Sequence, residues 1–200
     1  MADSSALITE LSRRLRDPNN EQHARTLVRD VLSQCQRIIN LSTEDAISTV
    51  SFTPTAERTL YRTSEVASNV AKIIAIRQSA RDLYETTFGS LSTVDTQWLR
   101  RTGQRYEAFA RIGGSLFALY PALAAPLAVD VVYVIVPANL TDGAGDVSIS
   151  DKYLPLLLDM GELVLSARVR TWEAMSDTVK RVSTGLGMTT TAPAATAGAA

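Results

Sequence analysis

The sequence predicts an α+β fold, in which a helical bundle of two N-terminal helices and one long C-terminal helix carries a central antiparallel β-rich insertion. Three patterns indicate this architecture: apolar residues at helical spacing from Ser5 to Leu41, strand-like alternation from Ala46 to Val136, and a second helical stripe from Leu154 to Val182. The predicted domains are a helical body at 1–45 and 150–184, a β-rich lobe with a short helix at 46–149, and a flexible tail at 185–200.

The N-terminal helices are the clearest periodic segments. The first is predicted from Ser5 to Leu15, and the turn-forming residues 17–20 end it. The second, from Glu21 to Leu41, carries a broad apolar stripe that we expect to be buried along its whole length. Cys35 lies in this stripe, and we therefore interpret it as a small core residue and not as a reactive thiol.

The first half of the central segment predicts short strands. Ser48 to Phe52 alternates between polar and apolar residues, and Arg58 to Arg62 follows a turn, which predicts a hairpin. Further strands are predicted at Lys72–Arg77 and Ala80–Thr86. A short helix is expected to begin after Ser92, as its N-cap.

The second half of the segment predicts an antiparallel meander. Gly113-Gly114 is a strong hairpin signal between strands at Tyr106–Ile112 and Ser115–Tyr120. The run from Leu127 to Val136 is dense in β-branched residues and ends at Pro137, and it is predicted as the third strand.

The long C-terminal helix is predicted from Ser150, a good N-cap, to about Ser183. At about 1.5 Å per residue it would span roughly 50 Å, so it needs another helical surface for stability. Gly185-Leu186-Gly187 is expected to end it. After Met188 the residues are Thr, Ala, Pro and Gly without charge, which is typical of a segment that does not fold by itself.

Composition excludes several classes of protein. The chain has 200 residues, a net charge of −1, one cysteine and one histidine. A single cysteine cannot form an intrachain disulfide, and these two residues cannot build a Cys/His zinc site. The N-terminus does not resemble a signal peptide, and the most apolar stretch, Leu116–Val136, contains two prolines and Asp130. We therefore expect a protein made in a cytoplasm, with no membrane partner.

Catalytic and cofactor motifs are not found in the sequence, and we predict no catalytic, cofactor-binding or metal-binding residues. No phosphate loop, nucleophile elbow, HExxH or CxxC pattern is present. His23 is expected to be a polar surface residue. Asp159 and Glu162 are neighbours on one helix, which is typical of a solvated face and not of the facing carboxylates of a glycosidase.

The densest basic run is Arg100, Arg101, Arg105 and Arg111, with Tyr106 and Phe109 between them. Residues 55–111 carry nine Lys/Arg and six Asp/Glu, an excess of three. So small an excess predicts a local patch and not a sequence-specific DNA-binding surface.

Taken together, the ordered segments resemble the head-to-tail adaptor proteins of tailed bacteriophages, also called head-tail connector or head-completion proteins. The resemblance covers about residues 5–183 and rests on the order and spacing of segments. These are Leu11–Pro18, Ala24–Ile39 with Gln36, Phe52–Tyr61, the set Trp98, Gly103 and Tyr106, Tyr120-Pro121, Tyr133–Pro137, and Ile149–Tyr153. The Ala/Thr-rich tail has no counterpart in that pattern.

The resemblance implies a non-enzymatic structural protein of the virion neck, between head and tail. Such proteins form a ring, typically of twelve copies, that binds the portal, extends the DNA conduit and docks a tail nozzle or tube protein. Double-stranded DNA passes through without sequence specificity. A near-neutral chain suits a conduit in which DNA must slide. No cofactor is implied.

The residues predicted to contact the portal lie at the C-terminal end of the chain. They are Trp172, Met175, Val179, Val182, Gly185, Leu186 and Met188, with the tail from Gly185 as a strap. Trp172 and Met175 are equally compatible with a core position. Removal of 185–200 is expected to weaken portal binding and to leave the fold intact.

Other functions stay open at this point. Another neck, tail-completion or stopper protein would share the same physical properties, as would a non-viral helical adaptor. A cell-wall hydrolase is the enzymatic alternative, and the missing catalytic constellation argues against it.

Overall fold

The computed structural model describes residues 3–142, 147–167 and 172–187, with the backbone alone for residues 172–177. The chain divides into two compact units. The helical unit comprises Met1–Thr43 and Ala138–Ala200, and the β unit comprises Glu44–Pro137.

The described residues form five α-helices. They are α1 (Ser4–Arg14), α2 (Arg25–Thr43), α3 (Phe88–Val94), α4 (Leu154–Ser166) and α5 (Trp172–Gly185). All except α3 belong to the helical unit. Their shared core is built from the fully buried side chains Ile8, Leu11, Val28, Leu32, Ile39 and Leu157.

The turn between α1 and α2 is organised by one carboxylate. Asp17 accepts hydrogen bonds from the backbone N–H groups of Glu21, Gln22 and His23, at 2.7, 3.1 and 2.8 Å. Burial opposes ionisation of this carboxyl, but these backbone hydrogen bonds stabilise the charged form and hold its pKa below the ordinary value. His23 contributes as well, because its Nδ1 lies 3.5 Å from Asp17 and its side chain is only 14% exposed. The expectation that His23 is a surface residue is therefore wrong.

The predicted long C-terminal helix is wrong, because the chain forms two helices that pack against each other. Arg181 Nε lies 3.0 Å from Asp159 Oδ2. On one straight helix these residues, 22 positions apart, would be separated by roughly 33 Å. α4 ends at Ser166, and α5 begins at Trp172. The predicted helical bundle with one long C-terminal helix is thus incorrect, although an α+β class is compatible with the structure.

The β unit contains ten strands in the described residues. They are β1 (Ile47–Phe52), β2 (Leu60–Arg62), β3 (Val70–Gln78), β4 (Arg81–Asp82), β5 (Tyr84–Thr86), β6 (Thr102–Gly103), β7 (Ala108–Ile112), β8 (Leu116–Tyr120), β9 (Ala122–Leu123) and β10 (Val129–Ile135). The first sheet has the order β1-β10-β3-β4, the second β2-β8-β7-β5, and β6 pairs with β9 alone.

The predicted meander is only partly correct. β7 and β8 form the expected hairpin, with Gly113 at φ +66° in its turn, where glycine avoids the steric cost of a Cβ. β10 instead pairs antiparallel with β1 and β3 in the other sheet. β2 pairs with β8 and not with β1, and β5–β7 and β6–β9 are parallel pairs, so the insertion is not purely antiparallel.

The short helix α3 begins earlier than predicted. Thr87 is its N-cap, and the Thr87 hydroxyl accepts a hydrogen bond from the Ser90 N–H at 3.1 Å. Ser92 lies inside the helix, where its hydroxyl donates to the Phe88 carbonyl.

One extended segment joins the two larger sheets. β4 pairs with β3, and β5, which begins two residues later, pairs with β7. The Leu83 N–H donates to the Ile76 carbonyl, and the next N–H, of Tyr84, donates to the Glu107 carbonyl. Side chains of both sheets share one core, in which the Phe52 ring meets the Tyr61 ring edge-on at 5.3 Å.

Candidate functional site

The residues predicted to contact the portal lie on α5 and just beyond it. Val182 is 8% exposed and belongs to the core of the helical unit, and Leu186 packs against that core. Val179 is half-buried. Trp172 and Met175 lie on the α5 backbone, and their side chains are outside the described residues, as is the whole of Met188.

Gly185 permits close packing at the end of α5. A Cβ at this position would lie 2.7 Å from Leu156 Cδ1, on α4. After it, the Leu186 N–H donates to the Val182 carbonyl and the Gly187 N–H to the Thr184 carbonyl. The chain is therefore held onto the helical unit as far as Gly187. A deletion from Gly185 would remove core contacts along with the tail, and a deletion from Met188 would spare them.

Asp159 fixes three helices relative to one another. Its carboxylate is 14% exposed and binds Arg181 of α5 at 3.0 Å and Arg14 of α1 at 3.1 Å. The interpretation of Asp159 as part of a solvated face is thus wrong. With two arginines on its oxygens, it holds a structural ion-pair network within the helical unit.

A groove lined by both polar and apolar side chains runs between α2 and α4. Leu27 and Val164 are 48% and 51% exposed, and the adjoining cavity has a volume of about 480 Å³. Further along α2, Ile38 and Leu41 are 47% and 44% exposed. The stripe on α2 is therefore buried only in part within its own chain, contrary to the expectation of complete burial. Clustered exposed apolar side chains of this kind mark interaction surfaces.

The basic run of the β unit is partly neutralised by its neighbours. Arg101 lies 3.3 Å from Asp95, and Arg111 pairs with Glu85 and donates to the Ile73 carbonyl. Arg100 and Arg105 are exposed, and no ion pair involves them within the described residues. Two free guanidinium groups form a weak electrostatic patch.

The four outer strands of the two larger sheets differ in length and charge. β2, β4 and β5 have two or three residues, and each contains a charged side chain. β1 has six residues, Ile-Ser-Thr-Val-Ser-Phe, and none is charged. It is the long, neutral edge of the β unit.

Neither a membrane-spanning helix nor a metal-binding group is found among the described residues. No helix among them has both the length and the apolarity needed to cross a membrane. Across the same residues, no group of three or more His, Cys, Asp or Glu side chains is arranged to hold a metal ion.

Comparison with protein families decides the identity of the chain at family level. A sequence model of the SU10 adaptor protein family matches residues 2–184. The chain belongs to this family. SU10 adaptor proteins are a phage head-to-tail adaptor family, so the resemblance deduced from the ordered segments is confirmed. No curated protein matches the chain.

The SU10 adaptor match includes both units and ends at Thr184, just before the end of α5. Membership identifies a phage adaptor protein of structural character. Most of the predicted portal-contact positions fall inside the match, and Gly185, Leu186 and Met188 fall outside it.

Proposed function

We propose that the chain forms the head-to-tail adaptor ring of a tailed phage, in the virion neck. Twelve copies bind the portal, extend its DNA channel and offer a docking surface to a tail nozzle or tube protein. The family match over residues 2–184 is the observation that carries this proposal. The chain acts as a structural part of the virion and not as an enzyme.

The unburied part of the α2 stripe supports self-association. Leu27, Ile38 and Leu41 are each more than 40% exposed and lie to one side of the α2 face that packs the core. Burial of such side chains against an adjacent copy would favour association by roughly 25 cal/mol of free energy per Å² of apolar surface removed from water. We therefore assign this outer face of α2, with Val164 of α4, to contacts between ring neighbours.

The portal contact is assigned to the segment from Trp172 to Met188, and the tail contact to the β unit. Val179 and Leu186 have half-buried side chains that leave apolar surface for a partner. Val182 lies within the helical core, and Leu186 also packs against that core. The near-neutral charge of the chain suits a channel that lets DNA pass without holding it.

The direct test is to mix the purified protein with a purified portal and to image the complex by electron microscopy. We expect a ring of twelve copies on the face of the portal that points toward the tail. A protein that leaves the portal bare at high concentration, or that binds only beneath another neck protein, would contradict the proposal and would favour a stopper.

A matched pair of variants tests the assignment of α5. Val179→Ser is expected to lower portal affinity with little change in thermal stability, whereas Val182→Ala is expected to lower stability because Val182 is a core residue. Equal portal affinity for Val179→Ser and the wild-type protein would remove α5 from the contact.

A further inference from the structure

β1 presents a row of backbone groups that no neighbouring strand covers. β1 pairs with β10 in one uninterrupted antiparallel register. The Ile135 N–H donates to the Ala46 carbonyl, so Ser48, Val50 and Phe52 direct their backbone groups toward β10, and Ile47, Thr49 and Ser51 direct theirs away. Within the described part of the chain, no hydrogen bond reaches these outward groups.

A terminal strand of the other larger sheet, β2, is partly closed to pairing. The Arg58 guanidinium donates to the Leu60 carbonyl at 2.6 Å, and the Arg62 N–H donates to the Glu65 carboxylate at 2.9 Å. Arg58 and Glu65 are themselves joined by two hydrogen bonds of 2.7 Å. These side chains occupy two of the outward backbone groups of β2, the Leu60 carbonyl and the Arg62 N–H, which is a recognised protection against edge-to-edge association.

β1 lacks every device of this kind. It is six residues long, contains no proline and shows no bulge against β10. No charged residue occurs between Asp45 and Glu57. Ile47 is 52% exposed, and Thr49 and Ser51 are exposed as well. A long neutral edge left open beside three short charged ones is a surface for strand addition.

We infer that β1 is an acceptor strand for residues 189–200 of an adjacent copy of the chain. The inference rests on the proposed ring, since it assigns one of the contacts between neighbours. It reassigns the arm, as we call residues 189–200, to an adjacent copy, in place of the expectation that the whole tail from Gly185 is a strap on the portal. The arm also lies beyond the family match, which ends at residue 184.

The composition of the arm fits this acceptor. The arm has no charged residue, so no charge would be desolvated against the neutral β1 edge. It opens with Thr189-Thr190-Thr191, and threonine is favoured in strands. Pro193 lacks an N–H and would end the pairing after a few residues. Twelve fully extended residues could span about 40 Å, whereas β1 is roughly 20 Å long, so the number of residues in the arm is sufficient.

Two other occupants from a second copy fit less well. The β2 edge of a neighbour is disfavoured as a partner of β1, because Arg58 and Glu65 occupy two of its outward backbone groups. Pairing of β1 with β1 of a second copy would be two-fold, and a two-fold contact does not continue around a ring. An arm that leaves one copy and binds the next makes a head-to-tail contact, and a contact of this kind can continue around a ring.

Disulfide trapping in the full chain tests the inference. The double variant Thr49→Cys/Thr190→Cys is oxidised both on the portal and at high concentration without it. We expect a ladder of covalent multimers larger than dimers. The single variants are the matched controls: Thr49→Cys is expected to stay monomeric, and Thr190→Cys is expected to yield no species beyond a dimer. The native Cys35 does not interfere, because it is buried.

The sizes of the cross-linked species distinguish which segment pairs with β1. A cross-linked monomer of altered mobility would place the arm on its own chain, and dimers from Thr49→Cys alone would indicate β1–β1 pairing. Complete rings on the portal without cross-linking would place the arm elsewhere. Each of these results overturns the inference and leaves the proposed function standing. A portal that binds no copies of the protein would contradict the proposed function and not the arm contact. In that case the cross-linked multimers formed in solution, without portal, test the arm contact.

A backbone variant provides a second test. Thr49→Pro removes an outward N–H without removing a hydrogen bond to β10, so the fold is expected to persist. We expect multimers from a Ser51→Cys/Thr190→Cys pair to fall roughly fivefold to tenfold in the Thr49→Pro background, in line with loss of about one hydrogen bond. Thr49→Val retains the N–H and is expected to match the parent. Equal yields from the Pro and Val backgrounds would contradict strand addition.

Discussion

Gly161 of α4 lies directly against Leu11 of α1. A Cβ on Gly161 would be 2.7 Å from Leu11 Cδ2 and 3.1 Å from Leu32 Cδ2, and both leucines are fully buried. The absence of a side chain at this position therefore sets how closely the three helices approach each other.

Replacement of this glycine by alanine is expected to destabilise the helical unit. The added methyl group must displace buried leucine side chains, which costs more than the gain in helix propensity, so Gly161→Ala should lose about 1–2 kcal/mol. Urea denaturation followed by circular dichroism measures the change. Gly89→Ala is the matched control, because its Cβ would meet only Thr87 Oγ1 at 4.0 Å. A stabilised Gly161→Ala variant would contradict this packing.

Removal of the Arg58 side chain is expected to open the β2 edge. Arg58→Ala frees the Leu60 carbonyl and releases Glu65 from its ion pair. Because the pair is partly exposed, the loss of stability should stay below about 1 kcal/mol, while concentration-dependent self-association should rise. Light scattering after size-exclusion chromatography measures the association. Arg77→Ala breaks another exposed ion pair, with Asp82, and should not promote association to the same extent.

Asp17 is expected to make the protein sensitive to acid. Its folded pKa is lowered by the backbone hydrogen bonds, so its contribution to stability is complete above the unfolded pKa of about 3.9 and is lost as the pH falls through the folded value. Asp17→Asn should lower the melting temperature at pH 7, and the difference from wild type should shrink below pH 4. Thermal melts across this range measure it. A constant difference at all pH values would show that ionisation of Asp17 is unimportant.

Cys35 is expected to resist thiol reagents in the folded protein. Its side chain is 2% exposed, and burial raises the pKa of its thiol to about 11. Labelling with a disulfide reagent at pH 8 should be slow in native buffer and fast in denaturant. Thr49→Cys, at an exposed position of β1, should be labelled at once under native conditions. Rapid loss of both thiols in native buffer would contradict the buried position.

The sequence predicts the local elements of this fold better than their partners. α1 and α2 follow from amphipathic spacing, because a helix face repeats within a few residues. The β7–β8 hairpin follows from Gly113-Gly114 for the same reason. The β10 pairing does not follow, since its partners Ile47–Phe52 and Val70–Gln78 are distant along the chain. Local composition carries little information about such contacts.

The C-terminal helix pair shows the same difficulty. One continuous helix and two helices folded onto each other present an apolar stripe of identical spacing, and residues 167–171 contain neither proline nor glycine to mark a break. The spacing likewise predicts that Val182 lies on the apolar face of a helix. It does not indicate that Leu156 and the core of the helical unit would bury that end of α5. The family could be identified from the order of segments, because that order does not depend on which elements touch.

The passage of one backbone segment from the first larger sheet to the second has a mechanical consequence. Since the adjacent N–H groups of Leu83 and Tyr84 belong to different hydrogen-bond ladders, traction applied to β3 reaches β5 along the main chain and then β7 through the hydrogen bonds between β5 and β7. We expect the two larger sheets to resist separation under load, because one continuous backbone segment takes part in both.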